Sequence, residues 1–207
     1  NLLFNQKIES LAKNQLEFKD LLPLLKRSDQ NLVNPKFTLF EGREGLQNAL
    51  KDMLLYYNLE TQAFWSQKKM VEILTPDFFR YHNKERIKNN LYTKAIWPKQ
   101  QTVDVSKYPY FGAGPEFKRE IRIAPKDINF TMGYWIYGNK VVFISSLTES
   151  FGFIIESAEF TQMLKTQFEV IWKTSLALKI DEKDTKSFLE ELKLPQYKNS
   201  QNSKSII

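Results

Sequence analysis

The sequence predicts an α/β protein in which a mixed β-sheet is flanked by helices and preceded by one long helix. Three observations lead to this prediction: strand and helix patterns alternate over residues 36–97, a hairpin signal lies at Gly138-Asn139, and a heptad stripe opens the chain. The 207 residues can bury one good-sized domain, because 42% of them are hydrophobic and 14% are aromatic.

Residues 1–27 are predicted to form a helix with a coiled-coil seam. Apolar residues recur there in steps of four and three, with one polar residue in the stripe and Pro23 close to its end. This pattern favours a linker or dimerisation helix, and therefore a homodimer; an amphipathic helix packed on its own domain is the alternative. The residues predicted to form the dimer interface are Ile8, Leu11, Gln15, Phe18, Leu22 and Leu25.

The globular domain is predicted to span residues 36–179, after a polar segment that ends in Asn34-Pro35. Its first half alternates strands and helices, which implies right-handed crossovers and a largely parallel sheet. The predicted strands are 36–40, 61–65 and 91–97, and the predicted helices are 43–57, 68–74 and 76–90.

The second half of the domain changes character. Residues 99–115 are polar and predict a mobile loop, and the strands that follow include a β-hairpin. Residues 180–207 are predicted to be a polar, partly disordered tail with one exposed helix at 185–194. The remaining predicted elements are strands at 118–124, 133–137, 141–146 and 151–156, and a helix at 157–179.

Composition excludes several kinds of site. The chain has no cysteine and only one histidine, His82, which excludes disulfides, thiolate zinc sites and multi-histidine metal sites within one chain. No glycine-rich phosphate loop is present, so no cofactor is predicted. No apolar run approaches the roughly 18 residues of a membrane-spanning helix, and no signal-peptide pattern opens the chain. We therefore expect a cytoplasmic protein that makes no membrane contact.

The net charge of +6 is concentrated in residues 84–126, which hold ten Lys/Arg and four acidic residues. Aromatic residues are interleaved with these cations, so one hypothesis is a nucleic-acid-binding module that uses this basic stretch. A solvated, lysine-rich surface is the alternative interpretation.

Several short segments, in fixed order, resemble the effector domain of TrmB-like transcription regulators. They are Phe40–Leu46 (FEGREGL, similar to a YEGxEGI opening), Lys84–Lys88 (KERIK), Lys118–Pro125 (KREIRIAP), Ile136–Val141 (IYGNKV), Ile154–Ser157 (IIES) and Phe168–Trp172 (FEVIW). The resemblance covers about residues 8–175. In that family a winged helix comes first, a linker helix follows, and a phospholipase-D-like domain comes last. The resemblance implies an effector-sensing and dimerisation module that reaches DNA only through an N-terminal domain missing from this sequence.

The phospholipase-D resemblance raises the question of catalysis, because those enzymes use an HxKxxxxD motif with a histidine nucleophile. Aligning the hairpin at 131–146 places Thr131, Gly133 and Gly138 at the His, Lys and Asp positions. The segment from His82 to Asn89 matches in part, but it lacks the aspartate and lies in a predicted helix. We therefore predict that the chain is not an enzyme.

A ligand site is predicted beyond the carboxyl ends of the parallel strands, where open α/β sheets bind their ligands. Arginines there could recognise a small-molecule or anionic ligand. The predicted ligand-binding residues are Trp65, Ser66, Arg86, Trp97, Lys99, Arg119, Arg122, Ser145 and Ser146.

Structural alternatives exist for part of this set. Trp65 and Trp97 could be ordinary core residues, and Arg119 could form an ion pair with Glu120. Trp135 and Trp172 are assigned to packing, as is His82, unless it lies at the surface. If no ligand binds, the remaining hypothesis is a catalytically inactive protein-interaction scaffold.

Overall fold

The computed structural model describes residues 34–128, 131–145 and 148–193. The chain divides into two compact units, residues 1–35 and residues 36–207, and the described helices and strands belong to the second. The predicted dimerisation residues from Ile8 to Leu25 and the predicted ligand residue Ser146 lie outside the described residues.

The second unit is built from strands and helices that alternate in its first half and then give way to a run of strands. The strands are β1 (Lys36–Glu41), β2 (Glu60–Phe64), β3 (Tyr92–Trp97), β4 (Arg119–Ile123), β5 (Gly133–Tyr137), β6 (Lys140–Ile144), β7 (Phe151–Glu156) and β8 (Leu176–Ala177). The α-helices are α1 (Gly42–Lys51), α2 (Gln67–Leu74), α3 (Pro76–Lys88), α4 (Ala158–Thr174) and α5 (Glu182–Leu192). Short 3₁₀ helices cover Asp52–Leu55, Lys99–Gln101 and Pro109–Phe111.

All eight described strands join one mixed sheet in the order β1-β7-β6-β5-β2-β3-β4-β8. Only β2 with β3 and β3 with β4 are parallel, and the other pairings are antiparallel. The predicted mixed sheet flanked by helices is confirmed, but a largely parallel sheet is wrong. The reason is β1, which pairs antiparallel with β7 at the sheet edge instead of lying beside β2.

Local signals explain where several elements begin and turn. Helix α3 starts at Pro76, and the Thr75 side chain accepts a hydrogen bond from the Phe78 backbone amide at 3.3 Å. Gly138 turns the β5–β6 hairpin with a φ of +56°, a conformation that glycine adopts without strain. The predicted hairpin is therefore confirmed.

Helices pack on both faces of the sheet. Helices α1, α2 and α3 bury apolar residues in a large core with one sheet face, including Leu50, Met70 and Phe79. Helix α4 covers the opposite face with Phe168 and Trp172, at the spacing of one helical turn. Because successive strand residues point to opposite faces, each central strand contributes to both cores.

Two segments that were predicted to be loose are packed. Tyr110, Phe111 and Phe117, in and just after the predicted mobile loop, are at most 3% exposed. Helix α5 was predicted to be exposed, yet its Phe188 is fully buried, with ring centroids 6.1 Å from Tyr110 and from Phe117. The predicted helix is present and is exposed on one side, but its other side is packed, because aromatic residues about 70 positions apart in sequence form one cluster.

No helix in the described ranges is long and apolar enough to cross a membrane.

Candidate functional site

A small enclosed cavity lies between α3 and the sheet face formed by β5, β2, β3 and the start of β4. Trp65 follows β2, Trp97 ends β3, and Trp135 comes from the neighbouring strand β5. The small residues Ala63 and Ala95 on the same sheet face leave the space open. Its volume of about 10 Å³ is at the lower limit for one ordered water molecule.

Arg119, the first residue of β4, lines this cavity with a buried guanidinium group. Its Nη2 donates to Asn83 Oδ1, and its Nη1 donates to the carbonyl oxygens of Tyr110 and Gly112 at 3.3 and 3.4 Å. Burial lowers the pKa of Arg119 to about 9, so the group is still protonated at pH 7. All three of these hydrogen bonds end on uncharged oxygens, and no ion pair joins Arg119 to a described carboxylate.

Arg86 is a second buried arginine, but it does not line the cavity. Its Nη1 donates to the carbonyl oxygens of Leu91 and Lys118 at 2.6 and 3.0 Å, and its Nη2 donates to that of Phe117 at 2.6 Å. Burial, and then the neighbouring Arg119, lower the pKa of Arg86. Arg86 therefore holds the segment before β4 against α3 from inside the protein.

Two further cavity residues carry hydrogen-bond donors without a partner. The indole N–H of Trp65 donates to Gln67 Oε1 at 3.0 Å, which orients the Gln67 amide so that Nε2 faces away from this bond. Gln67 Nε2 and Trp135 Nε1 are both buried, and neither has a hydrogen-bond partner. The rings of Trp65 and Trp135 meet edge to face, with centroids 4.8 Å apart.

His82 lies next to this cluster and is fully buried, as expected for a helix-packing residue. Its ring centroid is 5.7 Å from that of Phe78 and 5.3 Å from that of Trp135. Burial, and then the charges of Arg86 and Arg119, lower the pKa of His82 to about 3, against a weaker opposing contact from the Leu50 backbone. The imidazole is therefore neutral at pH 7.

Arg122 lies on the other face of the sheet, away from the cavity. Its guanidinium carbon is 4.3 Å from the ring centroid of Trp172, and its Nη2 is 3.0 Å from Glu120 Oε1. The expected ion pair between Arg119 and Glu120 is wrong, because adjacent strand residues point to opposite faces, whereas Glu120 and Arg122 share one.

The other predicted ligand residues are spread over the domain. Ser66 caps α2 by accepting a hydrogen bond from the Lys69 amide at 3.3 Å. The Ser145 hydroxyl accepts from the Phe151 amide at 3.0 Å and so closes the β6–β7 connection. Lys99 is exposed and borders a different depression. Of the predicted set, the structure brings Trp65, Trp97 and Arg119 together at the cavity, while the others lie elsewhere or outside the described residues.

The sequence patterns did not predict Gln67 and Asn83 as site residues, and they assigned Trp135 to packing alone. Asn83 follows Phe79 by four residues, so it lies on the buried face of α3. A polar residue on an apolar helix face was the available signal. No comparable pattern marks Gln67, whose position depends on where β2 ends.

The depression beside Lys99 is a groove of about 480 Å³ at the carboxyl ends of β3 and β4. Its apolar part is formed by Val103, Val105, Ile123, Leu178 and Ile180. The charged residues at its border are Lys99, Asp104, Lys179, Asp181 and Asp184. This volume is within the range of sites that bind small molecules, whereas the enclosed cavity is far too small for one.

The basic stretch is largely engaged within the domain. Arg86 and Arg119 are buried, and four other cations form ion pairs with acidic residues: Lys84 with Glu191, Lys88 with Glu85, Lys94 with Glu60, and Arg122 with Glu120. Most of its aromatic residues are buried as well, namely Trp97, Tyr110, Phe111 and Phe117. In the part of the chain that the structure describes, no cluster of His, Cys, Asp and Glu is suited to a metal ion.

Comparison with solved structures places this architecture among known folds. The chain is similar to TrmBL2, an archaeal chromatin protein whose structure shows a novel mode of DNA binding, with a TM-score of 0.51 and 15% identity. It is also similar to Nuc from Salmonella typhimurium, a phospholipase D family member, with a TM-score of 0.50 and 10% identity over 71% of this chain and 100% of that one. This chain has the phospholipase-D-like fold.

The phospholipase-D-like fold is the one that the resemblance to TrmB-like regulators implied. The match with TrmBL2 covers 84% of this chain but only 65% of that protein. No protein family profile and no curated protein matches the sequence.

The positions aligned with the catalytic residues of this fold lie around β5. Gly133 begins the strand, and a Cβ atom there would lie 2.3 Å from Trp65 Cβ. Thr131 is exposed, and Gly138 occupies the hairpin turn. The space for a side chain at position 133 is therefore already filled by tryptophan.

Proposed function

We propose that this chain is the non-catalytic, effector-sensing and dimerisation module of a TrmB-like transcription regulator. In this proposal a separate N-terminal domain contacts DNA, and the phospholipase-D-like domain binds a ligand. The proposal is supported by the ordered sequence segments shared with TrmB-like regulators and by the fold that the chain shares with TrmBL2. TrmBL2 itself is a DNA-binding chromatin protein.

The observation that carries the non-catalytic part is the contact between Gly133 and Trp65. A lysine at position 133 would need space that the Trp65 side chain occupies. The single histidine of the chain is fully buried between aromatic rings, so it cannot act as a nucleophile on a phosphodiester in solution.

Hydrolysis of bis(p-nitrophenyl) phosphate tests this part of the proposal. We expect no release of nitrophenol above the buffer rate, with or without divalent metal ions. Turnover by the purified chain that disappears in a His82→Phe variant would contradict the proposal, because it would assign the nucleophile to that histidine.

The groove beside Lys99 is the better candidate for the effector site, because its volume and its position at the ends of two parallel strands suit a small molecule. Its border carries three aspartates and two lysines, so it suits a polar ligand with groups that pair with both signs of charge.

A thermal-shift screen with charged and uncharged metabolites tests the groove. A compound that binds there should raise the melting temperature of the wild-type chain and lose its effect in Val103→Trp, which fills the groove. The matched control is Val170→Trp on the exposed face of α4, which should respond like wild type. A hit that still stabilises Val103→Trp would place the effector site elsewhere; a screen without hits would favour the interaction scaffold.

Dimerisation is tested by sedimentation. The wild-type chain should sediment as a dimer, and a variant with Leu11 and Phe18 both changed to Glu should sediment as a monomer, since two charges in a coiled-coil seam oppose association. A double variant that remains dimeric would assign the interface to another surface.

The alternative of a nucleic-acid-binding module has little support in the structure, because most cations of the basic stretch are buried or paired and most of its aromatic residues are buried. Oligonucleotide binding by the isolated chain at low salt, falling steeply as salt is added, would revive this alternative.

A further inference from the structure

The interior of the domain contains two arginine side chains whose positive charges are not paired with any described carboxylate. Arg86 and Arg119 are both buried, and Arg119 lies close enough for its charge to disfavour the charge of Arg86. No salt bridge joins either of them to a described carboxylate, although nine such bridges occur elsewhere in the described residues. Burying a cation without a counter-charge is unfavourable, so an anion within reach would stabilise the fold.

The cavity that Arg119 lines offers further hydrogen-bond donors. The Gln67 amide cannot rotate to present its oxygen, because that oxygen accepts from the Trp65 indole. Its Nε2 therefore remains a buried donor without a partner, and so does Trp135 Nε1, which can only donate. Asn83 Oδ1, an acceptor among the residues that line the cavity, already accepts a hydrogen bond from Arg119. The cavity therefore combines a positive charge with unused N–H groups.

Helix α2 adds to the positive potential at this position. Gln67 is its first residue, and the amino-terminal end of a helix carries a partial positive charge. A water molecule could accept hydrogen bonds here but could not offset the charges of the two arginines.

We propose that this cavity binds one chloride-sized anion, held by Arg119, Gln67 Nε2 and Trp135 Nε1. The volume of about 10 Å³ leaves room for one small species and excludes a phosphate or a carboxylate ligand. The site is separate from the groove proposed for the effector and does not depend on that function. Its role is structural: the anion would join α2 and β5 to β4 from inside the core.

Halide-dependent stability tests this proposal. The unfolding midpoint of the full chain is measured in sodium chloride and in sodium gluconate at equal ionic strength, since gluconate is too large for the cavity. We expect a chloride-specific, saturable increase, because an ion that binds only the folded state stabilises it by mass action. Identical midpoints in the two salts at every concentration would overturn the proposal.

Two variants separate this site from general salt effects. Gln67→Glu places a carboxylate in the cavity as a built-in anion, so this variant should be more stable than wild type in gluconate and should lose the chloride response. Gln167→Glu adds the same charge on the exposed side of α4 and should respond to chloride like wild type. A Gln67→Glu variant that keeps the full chloride response would refute the assignment.

Trp135→Phe removes the indole N–H but keeps an aromatic ring in the core, which covers the case in which Gln67→Glu fails to fold. Since it deletes one hydrogen bond to a charged group, chloride affinity should fall about tenfold or more. Crystals grown in sodium bromide provide a direct readout. An anomalous peak beside Arg119 would establish the site, and a peak-free cavity that contains only water would exclude it.

Discussion

Lowering the pH below 6.5 should destabilise this protein more steeply than it destabilises a His82→Phe variant. His82 is fully buried, and burial with the two neighbouring arginines lowers its pKa from 6.5 to about 3. The unfolded chain therefore binds a proton in this pH range that the folded chain does not bind. The contribution to stability is complete above pH 6.5 and is lost as the pH falls towards 3.

The expected slope is about 1.4 kcal/mol per pH unit below 6.5, which amounts to roughly 3 kcal/mol between pH 8 and pH 4.5. This is a large share of the roughly 5–15 kcal/mol that stabilises a typical domain. Because the chain has a single histidine, no other imidazole contributes to the difference.

Urea-induced unfolding, followed by circular dichroism at several pH values, measures the effect. Phenylalanine keeps a ring between Phe78 and Trp135, and carboxylates titrate equally in both proteins, so the difference between the two free energies of unfolding isolates His82. If the two pH profiles run parallel between pH 8 and pH 4.5, the imidazole is not desolvated as the structure indicates and the reasoning is wrong.

Three further substitutions test the packing. Gly133→Ala should destabilise the fold by about 2 kcal/mol or more through overpacking. In the control, Gly45→Ala, the added methyl meets nothing closer than 3.6 Å, so its stability should stay within about 1 kcal/mol of wild type. Equal urea midpoints for the two variants would contradict this reasoning. Phe188→Ala should lower the free energy of unfolding by about 3–5 kcal/mol because the ring is fully buried. The control, Val170→Ala at an exposed position, should change it by less than about 0.5 kcal/mol. Similar thermal midpoints for the two variants would show that α5 does not pack on the domain. Tyr137→Phe should lower the free energy of unfolding by about 2 kcal/mol, since the Tyr137 hydroxyl donates to Asp52 Oδ2 at 2.9 Å. An unchanged free energy of unfolding would show that this hydrogen bond does not stabilise the fold.

Most of the elements could be predicted because their signals are local. The β5–β6 hairpin follows from Gly138-Asn139, and α4 follows from apolar residues repeated at helical spacing. The position of β1 could not be predicted in this way. Its residue pattern predicts a strand but does not identify the partner strand, β7, which lies more than 100 residues away in the chain.

The candidate site was predicted only in part for the same reason. Trp65 and Trp97 could be placed at the ends of parallel strands, and the structure has them there. The partners of Arg119 could not be foreseen, since Asn83 lies 36 residues away on α3. The sequence suggested the adjacent Glu120 instead, which the alternation of a strand directs to the other face.

By itself, the sequence determined the class of fold, the order of most strands and helices, and the limits on chemistry that follow from one histidine and no cysteine. These properties depend on composition and on periodicities a few residues long. Only the tertiary structure decided that Arg86 and Arg119 share one interior, that Gln67 and Trp135 face a common cavity, and that α5 belongs to the core. Each of these depends on contacts between segments distant in the chain, whose free energy is decided by mutual burial and not by any local pattern.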